Sequence, residues 1–393
     1  MLPKRSLDWG RSENIIRALV AYGLERKAQI GADKVFDFSI GNPNVPAPPC
    51  VARAFQDLLQ EDPVEVHAYT AAAGLMSLRQ AIAREMCSLS RVPFEARHVY
   101  VTSGASTGLA VCAKALLLPG EKAVTFAPFF PEYRVFVEAV DAELAVVPPT
   151  ETLQPDLDVF AEALDEKVKL VIINTPNNPS GVVLTAESLQ AIAALLRQAE
   201  ERYGHPIYLV SDEPYRELVY DGSRVPCVAD YYDDTIICYS YSKSLSLPGE
   251  RLGYLAVSGA MADRDEVFTA ICGGARAYGY INAPSLIQRV VERCLGQTSD
   301  LSVYKENRDL LYNGLKELGF DCVYPDGAFY LFVKTPEPDA LAFSERAKKH
   351  ELLLVPSDDF GVGGYVRVAY CVSTDMIRRS MPAFAALAAE YGL

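Results

Sequence analysis

Lys243 stands inside the run Tyr239-Ser-Tyr-Ser-Lys-Ser-Leu-Ser-Leu-Pro-Gly-Glu-Arg251-Leu-Gly-Tyr254. Its amine can condense with a carbonyl to give a Schiff base. Serines flank it, and Arg251 follows eight residues later, beyond a Pro-Gly turn. Hydroxyls and a guanidinium can hold a phosphate. The set suits an anionic carbonyl compound held beside an amine. Taken alone, Lys243 is equally compatible with a solvated loop, so the rest of the chain has to decide.

The elements that would position such a site are legible from residue 99 onward. Short β-rich runs alternate there with helical segments. The runs are Val99-Tyr-Val-Thr, Ala123-Val-Thr-Phe, Leu144-Ala-Val-Val, Leu170-Val-Ile-Ile, Ile207-Tyr-Leu-Val, Thr235-Ile-Ile-Cys and Tyr254-Leu-Ala-Val. Several are apolar almost throughout, as strands covered on both faces are. The alternation predicts an α/β domain with a mostly parallel seven-stranded sheet between helices. Ligands of such sheets bind beyond the carboxyl ends of the strands. The segments found there are Ser103-Gly-Ala-Ser-Thr-Gly108, Pro128-Phe-Phe-Pro-Glu-Tyr133, Asn174-Thr-Pro-Asn-Asn-Pro-Ser-Gly181, Ser211-Asp-Glu-Pro-Tyr215 and the Lys243 loop. The first leads into a helix, whose free N–H groups make an anion site. The second offers aromatics that stack on a flat ring. A ring, an aldehyde and a phosphate together describe pyridoxal phosphate. The run at Leu144 is followed only by prolines and acidic residues, as befits a strand at a sheet edge or elsewhere.

Bulk properties narrow the function classes. The 393 residues suffice for two or three domains of about 100–200 residues each. The formal charge of −14 argues against nucleic acid or an anionic membrane as the main partner. Nine cysteines with no CxxC pair suit reduced thiols better than a disulfide frame. The four histidines form no ligand pattern, so no metal site is expected. The first residues lack the apolar stretch of a signal peptide, no run is long enough to span a membrane, and a cytoplasmic location is expected.

Outside the sheet, residues 12–30 have helical spacing with Ser12 as cap. A short strand at 35–40 leads into the proline-rich Gly41-Asn-Pro-Asn-Val-Pro-Ala-Pro-Pro49. That stretch is a linker in which Gly41 would also let backbone approach a ligand. Residues 50–61 and 75–89 read as helices. Tyr69 lies between them in a small-residue loop, where a packed core tyrosine is the default. The glycine-rich, aromatic stretch 272–284 precedes a long helical tract at about 285–318. Strands near 320, 328 and 365 then alternate with helices at about 338–350 and 374–391, a smaller α+β domain. The expected division is an N-terminal arm with part of the small domain at 1–47, a large cofactor-binding domain at 48–285 and a C-terminal small domain at 286–393.

These motifs resemble, in order and over nearly the whole chain, the class I and II aminotransferases, pyridoxal-phosphate enzymes of fold type I. The string Ser240-x-Ser-Lys-x-x-x-Leu-Pro-Gly-x-Arg-Leu-Gly carries the likeness most specifically. The resemblance implies a large α/β domain and a smaller α+β domain built from both chain ends. It implies that Lys243 holds the cofactor as a Schiff base and moves the substrate proton. Ser240, Arg251, Ala105 and Ser106 would bind the phosphate, and Phe130 would stack on the ring. Asp212 would face the ring nitrogen, with Tyr215 and Asn178 near the ring oxygen. Arg367 and the backbone of Gly41 would take the substrate α-carboxylate, with Asn178 beside them. Tyr69 would reach the phosphate of the neighbouring subunit, which implies a homodimer with shared active sites. Arg367 is also compatible, on residues alone, with an exposed strand position.

The implied reaction is transfer of an amino group from an L-amino acid to a 2-oxo acid by a ping-pong route, with aspartate or broad specificity. Dicarboxylate-specific relatives carry a second cation. One subgroup has lysine where this chain has Ser106. Another has arginine where this chain has Ala277, one residue from Arg276. Tyr22, Tyr278 and Tyr280 are compatible with an aromatic or aliphatic pocket instead. A C–S β-lyase would use the same residues. A non-catalytic cofactor-binding regulator is a third reading, which the acidic charge disfavours.

Overall fold

The computed structural model describes residues 2–11 and 15–393. Ser12, the expected cap, lies outside the described residues, and the helix it would open runs over Ile15–Ile30.

All seven apolar runs are strands of one sheet. We number them β1 (Val99–Thr102), β2 (Lys122–Phe126), β3 (Glu143–Val147), β4 (Val168–Asn174), β5 (Tyr208–Asp212), β6 (Thr235–Ser240) and β7 (Gly253–Val257). Their spatial order is β1-β7-β6-β5-β4-β2-β3. Every strand but β7 runs in one direction; β7 is antiparallel to both neighbours. The run at Leu144 is the edge strand β3.

The strands are apolar on both sides because both sides are covered. Tyr100, Ile236, Cys238 and Leu255 face one core, which includes Leu109 and Ile271 from the helices Ala105–Leu116 and Arg264–Ala277. Val101, Ile237, Tyr239 and Ala256 face the other, under Leu78 and Ile82 of Met76–Leu89. Farther along that face, Leu189, Ile192 and Leu196 of Ala186–Tyr203 cover β4 and β5. Each such leucine or isoleucine contributes about 1.5–3 kcal/mol by leaving water. Thr185 caps that helix by accepting from Ser188 N at 3.1 Å.

The second, smaller domain joins the two chain ends. Phe36–Asp37 pairs in parallel with Leu352–Leu353. A four-stranded antiparallel sheet orders Val355–Pro356, Tyr365–Ala369, Tyr330–Lys334 and Asp321–Val323. Its helices include Leu301–Glu317, Ala340–Lys348 and Thr374–Glu390. Phe38 O accepts from Ala369 N at 3.0 Å, which carries Ser39 and Gly41 to the end of the Arg367 strand.

Two expected elements differ. The tract at 285–318 is two helices, Ser285–Glu292 and Leu301–Glu317. The second starts on its own cap, Asp300, which accepts from Ser302 N at 3.0 Å. The glycine-rich stretch from Cys272 is helical as far as Ala277, since Gly274 packs against Val111 O and Ala115, where a Cβ would be tight. Among the described residues, no helix is long and apolar enough to cross a membrane.

Candidate functional site

A cavity of about 270 Å³ opens at the carboxyl ends of the parallel strands, against the small domain. Its wall brings together Gly41, Ala105, Ser106, Phe130, Asn178, Asp212, Tyr215, Ser240, Lys243, Arg251 and Arg367, residues that lie up to hundreds of positions apart. The antiparallel β7 explains Arg251. A reversed strand starts at the end where its neighbours stop, so Arg251, two residues before Gly253, arrives at the Ser240 end of β6 and beside Ser103.

One end of the cavity is an anion cradle. The helix Ala105–Leu116 points its N-terminus there, and its free N–H groups carry partial positive charge. Gly104 precedes it at φ 88°, and a Cβ there would lie 2.5 Å from Arg251 Nη2. Only glycine lets the guanidinium close on the turn. Arg251 Nη1 donates to Pro248 O at 2.9 Å and reaches Ser242 Oγ at 3.4 Å. Ser240 and Ser242 share a hydrogen bond at 2.8 Å.

Asp212 lies at the floor. Tyr133 donates to its Oδ2 at 2.6 Å, while Oδ1 is buried without a hydrogen-bond partner. Burial pushes this carboxyl up to about 7; the Tyr133 hydrogen bond opposes the rise and the Glu213 charge adds to it. A buried, half-satisfied carboxylate is costly unless a donor or cation meets it. A protonated ring nitrogen is such a group, so this oxygen fits pyridoxal phosphate. Asn174 ties the floor together: Nδ2 donates to Asp212 O at 2.8 Å and Oδ1 accepts from Asn178 N at 2.7 Å.

Lys243 donates from Nζ to Gly41 O at 2.6 Å, and Nζ lies 5.3 Å from the centroid of the Phe329 ring. Desolvation draws the amine down to about 8; Cys371 opposes that, and Arg251 and Arg367 add to it. A less basic lysine is a better nucleophile near neutral pH.

Arg367 is buried, not exposed as its strand position allowed. Its Nη1 donates to Asn178 Oδ1 at 3.0 Å and its Nη2 to Ser39 O at 2.6 Å, while Nε is buried without a partner. The guanidinium lies between the rings of Tyr330, at 4.7 Å, and Phe360, at 5.4 Å. A Cβ on Gly41 would come 2.0 Å from the Tyr330 hydroxyl, so this position has room only for glycine.

Tyr69 is not a packed core residue: it is 96% exposed and does not line this cavity. Arg276, Tyr22, Tyr278 and Tyr280 are also absent from the wall. Tyr22 instead underlies Lys348, 5.1 Å away. Tyr133, Asn174, Ser242 and Tyr330 take part in the site but carry no signal of their own in the sequence. Tyr133 and Asn174 do stand in the strand-end segments, where position alone could have found them.

Residues 33–384 match the family of class I and II aminotransferases. The chain belongs to that family. The structure is similar to that of an aminotransferase from Eubacterium rectale, with a TM-score of 0.97 at 46% identity, covering 100% of each chain. An aspartate aminotransferase from Thermotoga maritima is 30% identical over 355 residues, 89% of this chain and 90% of its own. An aspartate/prephenate aminotransferase from Thermus thermophilus is 29% identical over 377 residues, 94% of each chain. The seven-stranded sheet with its second α+β domain is the pyridoxal-phosphate fold type I of these class I and II aminotransferases.

Proposed function

We propose that the protein is a pyridoxal-phosphate-dependent aminotransferase that moves the amino group of an L-amino acid to a 2-oxo acid, of aspartate or broad specificity. The observation that carries this reading is the meeting of three groups in one cavity. They are an amine drawn down to about 8, a buried carboxylate with a free oxygen, and a buried guanidinium with a free N–H.

Pyridoxal phosphate supplies, when bound, an aldehyde for the amine and a ring that draws electrons from the substrate Cα. The chain's own residues do the rest. Ala105, Ser106, Ser240 and Arg251 would hold the phosphate, Phe130 would cover the ring, and Asp212 Oδ1 would meet the ring nitrogen. Tyr215 and Asn178 donate toward the ring oxygen; with its own oxygen committed to Arg367, Asn178 has only amide hydrogens to offer. Arg367 binds the substrate α-carboxylate through Nε and a terminal nitrogen, helped by the backbone of Gly41. Lys243 Nζ would take the proton from the substrate Cα and deliver it to the cofactor carbon that had been the aldehyde.

The direct test is borohydride reduction of cofactor-loaded protein followed by peptide mass mapping, expected to find the adduct on Lys243. Its rate of loading should rise as pH passes through about 8 and then level, because the protonated amine below that value is not nucleophilic. A rise that continues toward the ordinary lysine range near 10.4 would deny the lowered basicity. Arg367→Ala should raise KM for the amino donor roughly a hundredfold, the loss of about 3 kcal/mol of charged hydrogen bonding. An unchanged KM would place the carboxylate elsewhere.

Two copies are proposed to pair, with Tyr69 of each reaching the phosphate of the other. Tyr69, Met76, Tyr280 and Ile281 are exposed large side chains, and Asn282 donates to Thr70 O, which puts their segments side by side. Such a patch suits an interface. A cytoplasmic location, and a division into segments 1–47, 48–285 and 286–393, are part of the same proposal.

A further inference from the structure

Tyr330 starts one of the two inner strands of the four-stranded small-domain sheet and lines the cavity. It is buried, and its hydroxyl meets the Tyr215 hydroxyl at 2.9 Å. Its ring supports the Arg367 guanidinium from one face, and its oxygen fills the space beside Gly41. One side chain from the small domain thus touches the group expected at the ring oxygen and the group expected at the substrate carboxylate.

We propose that Tyr330 is a positioning residue that sharpens Tyr215 as a hydrogen-bond donor through its hydroxyl and holds Arg367 in plane through its ring. The proposal rests on the cofactor reading given above. Tyr215 has one proton. If that proton is aimed at the cofactor's ring oxygen, the proton between the two phenols must belong to Tyr330. A hydrogen bond received by Tyr215 polarises its own O–H and makes it the stronger donor. A stronger donor stabilises negative charge on the ring oxygen and lowers the proton affinity of the nitrogen conjugated to it. The phenols keep their protons over the working range, since burial raises Tyr330 to about 12 and Tyr215 well above its ordinary value.

The two contacts separate by substitution. Tyr330→Phe keeps the ring under Arg367 and removes the hydroxyl; Tyr330→Leu removes both. The readout is the pH midpoint of the visible absorbance band of the cofactor-loaded protein, with KM for the amino donor beside it. Tyr330→Phe should move the midpoint upward by about half a unit, the weight of a modest neutral hydrogen bond. Tyr330→Leu should move it likewise and raise KM about fivefold through the lost cation–π support. A purely packing role predicts a silent Tyr330→Phe, so an unmoved or lowered midpoint there overturns the proposal even if the Leu variant fails to fold. Wild-type protein that shows no visible band with added pyridoxal phosphate would instead sink the cofactor reading itself.

Discussion

Lys243→Ala should lower turnover by about 10⁴-fold or more, the upper range for losing a positioned proton carrier, while leaving a folded protein that still takes up the cofactor. Among the described residues, nothing else in the cavity wall can replace this amine as a base. Tyr215 is held far above its ordinary value by burial and by Tyr330. Asp212 is at the floor, hydrogen-bonded to Tyr133. Arginines stay protonated. Uptake should survive because the proposed phosphate cradle consists of Ser240, Arg251 and a helix N-terminus, none of which depends on the lysine. Nor should the fold weaken near neutral pH. A lysine whose folded value lies below its unfolded one penalises the folded state at pH below about 8, and the penalty fades as pH rises toward the ordinary range. Below pH 8 the alanine variant is free of that penalty. The measurements are turnover with an amino donor panel, the absorbance of bound cofactor, and thermal unfolding at pH 7. Normal turnover would end the assignment of Lys243.

Much of this site was legible because a parallel sheet converts chain order into spatial order. Strands that read as apolar runs must stop at a common end, so Asn178, Asp212 and Lys243, each just past a run, had to meet. The same logic does not reach Arg251, whose place depends on β7 running backward. A reversed strand has the same apolar pattern as a forward one, so composition is blind to it. The small domain hides its contribution for another reason. Its strands pack one face on a core and present single residues to the cavity. Tyr330 and Arg367 therefore look like ordinary alternating positions, and only the family likeness marked Arg367. The exposure of Tyr69 was not legible from its neighbourhood, since an exposed tyrosine and a buried one are written alike. The break between the two helices after residue 292 was written in the chain. Gly296 takes the left-handed conformation at φ 74°, and Asp300 caps the helix Leu301–Glu317. Apolar spacing on both sides masked these signals.

Asp212→Asn is the sharper probe of what the cavity is for. The change is isosteric, keeps an oxygen for Tyr133 and removes only charge. An amide at the ring nitrogen cannot hold a proton there, and an unprotonated ring draws electrons poorly from the substrate Cα. Turnover should fall about 10³-fold, as when a preorganised electrostatic group is lost from an active site. Stability of the cofactor-free protein should move the other way. A carboxyl whose folded value is raised to about 7 by burial disfavours the folded state as pH climbs from the ordinary carboxylate range to 7, and the full penalty stands above that. Asparagine carries no such penalty, so the cofactor-free variant should unfold at a higher temperature than the wild type at pH 8, and the difference should shrink at pH 4. Charge that costs the empty fold and serves the loaded one is what a site built around a cationic ring nitrogen requires. An asparagine variant that keeps turnover within about tenfold of wild type, too small a loss for a group of that kind, would mean that the ring nitrogen is held by something other than Asp212.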